Sequence, residues 1–252
     1  MMSGMVRMIP PDRLRAVLDE AARVFVVHGY RRTQIQDVAD ALGLAKGTLY
    51  GYAQSKEALF AGAVRFADDA EPLPDPSRLP LAAPAAGELA ALVASRLAAE
   101  VPDMALTRAL SRRARPIGQS AAAEELAAIV VDLYRRLARN RTAIKLVDRC
   151  APELPELAEV WLNTGRGAQM SGMETYLSRR QAAGDLVLPG PVPLVARTVV
   201  ELCVLWAVHC RFDPAPQATI ASPVTAIDDE EVAATLATLL ARGLTSTQHS
   251  TA

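Results

Sequence analysis

A single stretch, residues 33–60, constrains the fold of this chain more than any other. It reads TQIQDVADALGLAKGTLYGYAQSKEALF and carries two short helical patterns separated by a glycine. Ala39 is small enough to let the following helix pack closely, and Gly43, four residues later, can adopt the left-handed conformation that a tight turn needs. The spacing therefore predicts two short helices joined by a sharp turn, a helix-turn-helix.

The residues around this turn supply the expected helix boundaries. An apolar stripe with three- and four-residue spacing predicts a first helix over residues 11–28. Thr33 and Gln36 fit a capping box at the start of the second helix. Ser55 fits an N-cap for a fourth helix that runs to about residue 70. We expect three helices to form a head and the fourth to lead away from it.

Hydrogen-bond donors remain on the outer face of the third helix once the apolar positions are assigned to the core. Amines, hydroxyls and exposed backbone amides suit the phosphate oxygens and base edges of a DNA major groove. The residues expected to face DNA are Lys46, Gly47, Thr48, Tyr50, Gly51 and Tyr52, with Lys56 as a phosphate contact at the start of the fourth helix. Taken singly, a tyrosine or lysine here could equally be an ordinary solvated or half-buried side chain.

The pattern T-x-I-x-x-V-A-x-x-L-G-L-x-x-G-T-L-Y-x-Y-x-x-S-K-E-x-L resembles the DNA-binding domain of the tetracycline-repressor (TetR-type) family. The resemblance implies a homodimeric transcriptional regulator, most often a repressor that a small-molecule effector releases from a palindromic operator. It also implies contacts with bases or phosphates at Thr33, Lys46, Thr48, Tyr50, Tyr52 and Lys56. Two positions depart from the family pattern: Ala45 replaces a frequent hydroxyl cap, and Ala53 replaces a frequent aromatic residue.

Composition places the rest of the chain in the all-α class. Aromatic residues make up only 4% of the 252 residues, and helical periodicity dominates alternating patterns nearly everywhere. Five prolines in residues 71–86 exclude a continuous helix there. We therefore expect a DNA-binding domain at 11–56, extending into a linking helix to about 70, then a proline-rich linker at 71–86. Residues 87–244 are expected to form a larger helical domain for effector binding and dimerisation.

Two features of this second domain suggest partners. Helical patterns at 191–211 and 229–243 are too apolar for one copy to cover, which predicts that they pair with a second copy as a four-helix bundle. A stripe near three helical glycines could line a pocket for a small apolar or amphipathic effector, although such a stripe is more often plain core. Its members are Trp161, Met170, Met173 and Tyr176.

Charge and motif content bear on the remaining function classes. Residues 1–60 carry eight basic against six acidic residues, so any DNA binding must be local rather than driven by bulk charge. The three histidines, His28, His209 and His249, are far apart, and no catalytic or metal motif occurs, so no enzyme activity, cofactor or metal is expected. The alternative is a helical small-molecule-binding or scaffold protein that does not read DNA sequence.

The expected location is the cytoplasm. The start of the chain lacks the apolar region of a signal peptide, and three cysteines are an odd number without secretory context. The most apolar stretch contains Arg197 and Glu201, which would be costly in a bilayer, so it is expected to be a buried helix and no membrane partner is predicted.

Overall fold

The computed structural model describes residues 11–113, 115–212 and 228–245, and in these ranges the regular structure is helical. The helices are α1 (Pro11–His28), α2 (Ile35–Ala41), α3 (Lys46–Leu49), α4 (Lys56–Phe66), α5 (Glu88–Glu100), α6 (Ala105–Ser111), α7 (Gln119–Arg139), α8 (Arg141–Cys150), α9 (Pro155–Ala158), α10 (Gly167–Ala182), α11 (Val192–Ala207) and α12 (Asp229–Gly243). Extended pairing in the described ranges is limited to one isolated bridge, between Ala53 and Leu81. The predicted all-α class is confirmed.

The chain forms two compact units whose boundaries differ from the predicted domains. The first unit comprises residues 1–94 and 142–161, and the second comprises 95–141 and 162–252. The proline-rich segment 71–86 thus belongs to the first unit. The backbone of Leu81 explains why, because it exchanges hydrogen bonds with Tyr52 and Gln54, at 2.7 and 2.9 Å. Such pairing between distant residues leaves no signature in local composition.

The core of the first unit is built where α1 packs against α2 and α4. Phe25 and Phe60 meet edge to face with ring centroids 5.0 Å apart, and Tyr30 lies 5.1 Å from Phe60. Aromatic pairs in this geometry add about 0.5–1.5 kcal/mol beyond simple burial. The periodic stripe expected on the first helix is buried: Leu14, Val17, Leu18, Ala21, Ala22, Val24 and Phe25.

Helix α8 belongs to the first unit from Thr142 onward, although residues 95–141, which precede Thr142 in sequence, belong to the second unit. The Asp68 carboxylate accepts hydrogen bonds from the Thr142 and Ala143 N–H groups at 3.1 and 2.9 Å, which caps the first turn of α8. At the other end of the helix, burial raises the pKa of the Cys150 thiol to about 12. That thiol stays protonated and takes part in packing rather than in chemistry.

The second unit is organised around α7, which packs against both α11 and α12. The first turn of α12 is held by Asp229, which accepts hydrogen bonds from the Tyr134 hydroxyl at 2.8 Å and from Arg211 at 2.7 Å, and pairs with Arg141. Burial opposes ionisation of Asp229, but these donors outweigh it and lower the pKa. The two apolar helices predicted at 191–211 and 229–243 are therefore both present.

A second ionic cluster in this unit lies almost out of contact with water. Arg180 is 9% exposed and pairs with Glu125 at 2.7 Å and with Asp185 at 3.1 Å. Asp185 also accepts the Ile117 and Gly118 N–H groups, at 3.0 and 2.9 Å. Burial alone would raise the pKa of Asp185, yet these hydrogen bonds together with Arg180 lower it. Each buried charge in the cluster thus has partners of opposite sign.

One helical segment departs from α geometry. Residues Glu159–Arg166 form a π-helix between α9 and α10, where the sequence predicts an uninterrupted long helix after Pro155. Gly172, one of the glycines in the predicted long helix, lies beside Leu106, where an added Cβ would make an ordinary contact at 3.4 Å. The Gly167 position contacts only its own helix within 4 Å, so close helix approach does not explain that glycine.

A further helical stretch meets the length and apolarity that a membrane crossing requires. Within the described part of the chain this is Val192–Arg211, which covers α11 and the short turn after it. Core helices of water-soluble proteins satisfy the same criterion. Val195, Val199 and Cys203 of α11 are buried inside the second unit, as in a core helix.

Candidate nucleic-acid interface

The helix-turn-helix depends on a left-handed glycine. Gly43 has φ +62°, and the Leu44 N–H donates to the Ala39 carbonyl at 2.8 Å, which closes the turn between α2 and α3. A side chain at position 43 would strain this conformation even though nothing crowds it. Ala39 and Val38 are fully buried beside the turn. The roles expected for the Ala39 and Gly43 pair are confirmed.

The cap of α2 is displaced by one residue from the expected position. Gln34 is the N-cap, and its N–H donates to the Asp37 carboxylate at 2.7 Å. The predicted capping box of Thr33 with Gln36 is wrong, because the Thr33 side chain is 1% exposed and its hydroxyl donates to the Gly29 carbonyl at 2.7 Å. Thr33 instead ties the α1–α2 turn together. In this conformation its hydroxyl is not presented to a ligand.

Helix α3 is one turn long and presents polar groups on one side. Lys46, Gly47, Thr48 and Tyr50 are exposed, while Leu49 is buried at 1% exposure. Its N-cap is Ala45, which makes no side-chain cap, as expected from the sequence. The outward orientation expected for Tyr52 is wrong, since Tyr52 is only 3% exposed. Tyr52 lies three residues after Leu49 and its N–H donates to the Leu49 carbonyl at 2.9 Å, so the turn brings its side chain to the same buried face as Leu49.

Lys56 is the first residue of α4, and its amine already contacts Tyr30 in the first unit. The Ser55 hydroxyl accepts the Ala58 N–H at 3.1 Å, which confirms the predicted N-cap. The Lys56 amine donates to the Tyr30 carbonyl at 3.2 Å and lies 4.6 Å from the centroid of the Tyr30 ring. Burial, and then the nearby Glu57 carboxylate, raise the pKa of Tyr30 to about 12. An ammonium group carries three donors, so Lys56 keeps capacity for an outside acceptor.

Sequence reasoning missed two cations beside this surface. Arg31 and Arg32 are both exposed and lie four and three residues before Ile35, the first residue of α2. The Arg31 backbone N–H is fixed by Glu153, which accepts its hydrogen bond at 2.5 Å. A pair of arginines shortly before a capped helix was the available signal, because such helix starts attract phosphates.

The four residues predicted for an effector site are divided between the two units. Trp161 belongs to the first unit, and its indole N–H donates to Asp148 at 3.0 Å. Met170, Met173 and Tyr176 belong to α10 of the second unit, where Met173 and Tyr176 are fully buried. Met173 lines a cavity of about 10 Å³, which is about the space of a single water molecule.

A larger cavity than the one beside Met173 lies in the first unit, away from those positions. It holds about 200 Å³ between α4, residues 81–84 and the start of α5. Its walls are mainly small and aliphatic side chains, and Arg65 pairs with Glu88 at 3.0 Å at one edge. For metal binding, the described residues offer no cluster of three or more His, Cys, Asp or Glu side chains. His249 lies outside the described residues.

Helix α3 follows α2 after a tight turn at Gly43, and the two helices pack together. This arrangement defines the class of the first unit as a helix-turn-helix domain. Comparison with known proteins places it more narrowly. Residues 17–63 match the sequence profile of the family "Bacterial regulatory proteins, tetR family". The HTH-type transcriptional repressor KstR2 of Rhodococcus jostii (strain RHA1) is 41% identical over 58 residues, which are 23% of this chain and 28% of that protein.

Solved structures extend the likeness in fold beyond the helix-turn-helix. The ketosteroid transcriptional regulator KstR2 of Mycobacterium tuberculosis has a TM-score of 0.54 at 16% identity, over 98% of this chain and 100% of that chain. A TetR-family regulator of Streptomyces coelicolor A3 has a TM-score of 0.51 at 19% identity, over 97% of this chain and 94% of that one. The match to the tetR family model covers residues 17–63, and these two structures show a similar fold for the chain as a whole.

Proposed function

We propose that this protein is a transcriptional regulator that binds DNA in a sequence-specific manner through α3. The observation that carries the proposal is the sidedness of this helix, with Leu49 buried and Lys46, Thr48 and Tyr50 exposed. An amine and two hydroxyls can donate to or accept from base edges in the major groove. Gly47 adds no side chain, which allows the helix backbone to approach the duplex closely.

Backbone phosphates are contacted, in this proposal, by cations around the same surface. Arg31 and Arg32 lie at the entrance to α2, and Lys56 lies at the entrance to α4. The aromatic face of Tyr30 and the Tyr30 carbonyl hold the Lys56 amine in place before DNA arrives. Preorganising a charge in this way lowers the entropy lost on binding.

The regulator acts as a homodimer through α11 and α12. Three large apolar side chains on these helices are exposed in a single copy: Leu194 by 62%, Leu205 by 41% and Leu239 by 64%. Exposed leucines concentrated on two adjacent helices are typical of an interaction surface. A second copy, related by twofold symmetry, would cover them and set two heads on the half-sites of a palindromic operator.

The regulator is a cytoplasmic repressor, and a small apolar or amphipathic effector releases it from DNA. The buried Met173 and Tyr176 on α10 are the proposed centre of the effector site in the second unit. Because the cavity beside Met173 holds only about 10 Å³, the effector would bind a more open conformation than this one. An effector shifts the equilibrium between two conformations only by its difference in affinity for them.

Selection from a random duplex library, followed by footprinting on the chain's own promoter, tests the DNA-binding proposal. We expect enrichment of a palindrome and protection of two half-sites about one helical turn apart. Uniform, weak retention that disappears as salt is raised would instead favour a helical small-molecule-binding or scaffold protein without sequence recognition.

A further inference from the structure

The segment of residues 71–86, here called the strap, folds back onto the end of α3, the proposed recognition helix. Its start is shaped by a short 3₁₀ turn at Pro76–Arg78, in which the Asp75 carboxylate accepts the Ser77 N–H at 2.8 Å. Further along, the Leu81 N–H donates to the Tyr52 carbonyl at 2.7 Å, and the Gln54 N–H donates to the Leu81 carbonyl at 2.9 Å. The strap is therefore paired with the turn between α3 and α4.

The Leu81 side chain fixes the strap to α4. A Cβ on Gly62 would lie 2.6 Å from Leu81 Cδ1 and 3.1 Å from Leu18 Cδ2. The first distance is shorter than any van der Waals contact, so the absent side chain at position 62 creates the space that Leu81 occupies. Leu81 also forms part of the wall of the 200 Å³ cavity next to α4. Backbone pairing and side-chain contact thus converge on one residue.

The recognition helix, α3, has few backbone hydrogen bonds of its own to hold its shape. Helix α3 comprises four residues, and Ala45 gives it no side-chain cap. A single helical turn is not stable by itself, because the entropy of fixing its backbone outweighs the few hydrogen bonds it forms. At its far end the Tyr52 N–H reaches back to the Leu49 carbonyl at 2.9 Å. The next polar groups along the turn, the Tyr52 carbonyl and the Gln54 N–H, are satisfied by the strap.

From this geometry we infer that Leu81 is a positioning residue for DNA recognition: the strap holds the α3–α4 turn so that Thr48 and Tyr50 stand in the orientation that binds DNA. Leu81 itself need not touch DNA. The inference rests on the proposed function for its consequence, the change in affinity, but the ordering of the turn can be measured without DNA.

Two substitutions test the inference by different routes. Leu81→Ala removes the anchoring side chain, and Gly62→Ala keeps that side chain but fills its place on α4. Leu89→Ala is the matched control, because Leu89 is another half-buried leucine that lines the same cavity from α5. Circular dichroism and light scattering verify that each variant keeps its helices and its oligomeric state.

Hydrogen exchange of the free protein reports whether the turn is held. We expect the Gln54 amide to lose its protection in Leu81→Ala and in Gly62→Ala, so that it exchanges at close to the rate of an unprotected amide, and to exchange at the wild-type rate in Leu89→Ala. If the turn is then correctly placed in about one molecule in ten, the apparent Kd for the selected duplex rises about tenfold. Because both substitutions break one contact, the double variant should bind no more weakly than either single variant.

Three results would overturn the inference. These are an unchanged Gln54 exchange rate in Leu81→Ala, a faster rate with an unchanged Kd, and additive losses of affinity in the double variant. Failure of the proposed function gives a different pattern, in which the wild-type protein itself selects no duplex. In that case the exchange rates alone decide whether the strap orders the turn.

Discussion

Two tyrosines that are two residues apart, Tyr50 and Tyr52, should respond in opposite ways to substitution. Tyr50 is 44% exposed and Tyr52 is 3% exposed. The polar character of both residues predicts that they face DNA, but the structure presents only the side chain of Tyr50. We therefore expect substitutions at Tyr50 to act on DNA affinity and substitutions at Tyr52 to act on stability.

The sizes of these effects follow from burial. Removing a buried aromatic ring costs about 3–5 kcal/mol, so Tyr52→Ala should lower the melting temperature of the first unit by roughly 10–20 °C. Tyr52→Phe keeps the ring and should change stability by less than about 1.5 kcal/mol. Tyr50→Ala lies at the surface and should cost no more than about 0.5 kcal/mol. Loss of one DNA contact should weaken binding to the selected duplex by about tenfold.

Thermal unfolding and DNA affinity, measured on the same preparations, separate the two roles. Tyr52→Phe is the decisive variant, because it removes only the hydroxyl and leaves the fold intact. We expect it to bind the selected duplex as the wild-type protein does. A tenfold loss of affinity in Tyr52→Phe, with an unchanged melting temperature, would show that Tyr52 turns outward to reach DNA, and our assignment of the recognition surface would then fail.

Three further predictions concern phosphate contact, dimerisation and pH. Lys56→Ala should lower the slope of log K against log salt by about 0.9, and an unchanged slope would remove Lys56 from the phosphate contacts. Leu239→Glu should give a monomer in light scattering. The control Val101→Glu changes a side chain that is 49% exposed and lies outside α11 and α12, so this variant should stay dimeric. A dimeric Leu239→Glu would contradict the proposed interface through α11 and α12. Since the folded pKa of Asp185 is lowered, its contribution to stability is present above the unfolded pKa and is lost as pH falls below about 4. Asp185→Asn should therefore be less stable at pH 7 by roughly 3 kcal/mol and should show a flatter loss of stability in acid, as followed by chemical denaturation; parallel pH profiles would refute this.

Sequence reasoning succeeded where one residue determines the local backbone. Gly43 takes the left-handed conformation that its spacing from Ala39 required, and Ser55 caps α4 as expected. The boundaries of α1, Pro11–His28, also agree with the periodicity of its apolar stripe. These features depend on interactions within a few residues, which is why the sequence is sufficient to predict them.

The errors occur where a local signal is ambiguous or a distant contact decides. Thr33 and Gln34 are adjacent and both can cap a helix, and burial of Thr33 under the Gly29 carbonyl settles which of them does so. Tyr52 is predicted to face outward because it is a polar residue left over when the apolar positions are assigned to the core, but its three-residue spacing from Leu49 places it on the buried face. The strap contains five prolines, and its structure depends on hydrogen bonds to a turn almost thirty residues earlier in the chain. No local sequence pattern encodes such pairing.

The π-helix at Glu159–Arg166 has a consequence for how residues of this chain are matched to those of its relatives. A π-helix bonds each residue to the fifth along rather than the fourth, so it accommodates extra residues within the same axial length. In a sequence alignment, a relative with an ordinary α-helix at this place would need a gap opposite the extra residues. Without that gap, every correspondence in α10 shifts by one position, or about 100° around the helix. Met173 would then be matched to a residue on a different face, so effector-contacting positions should be transferred to α10 by superposition and not by sequence alignment.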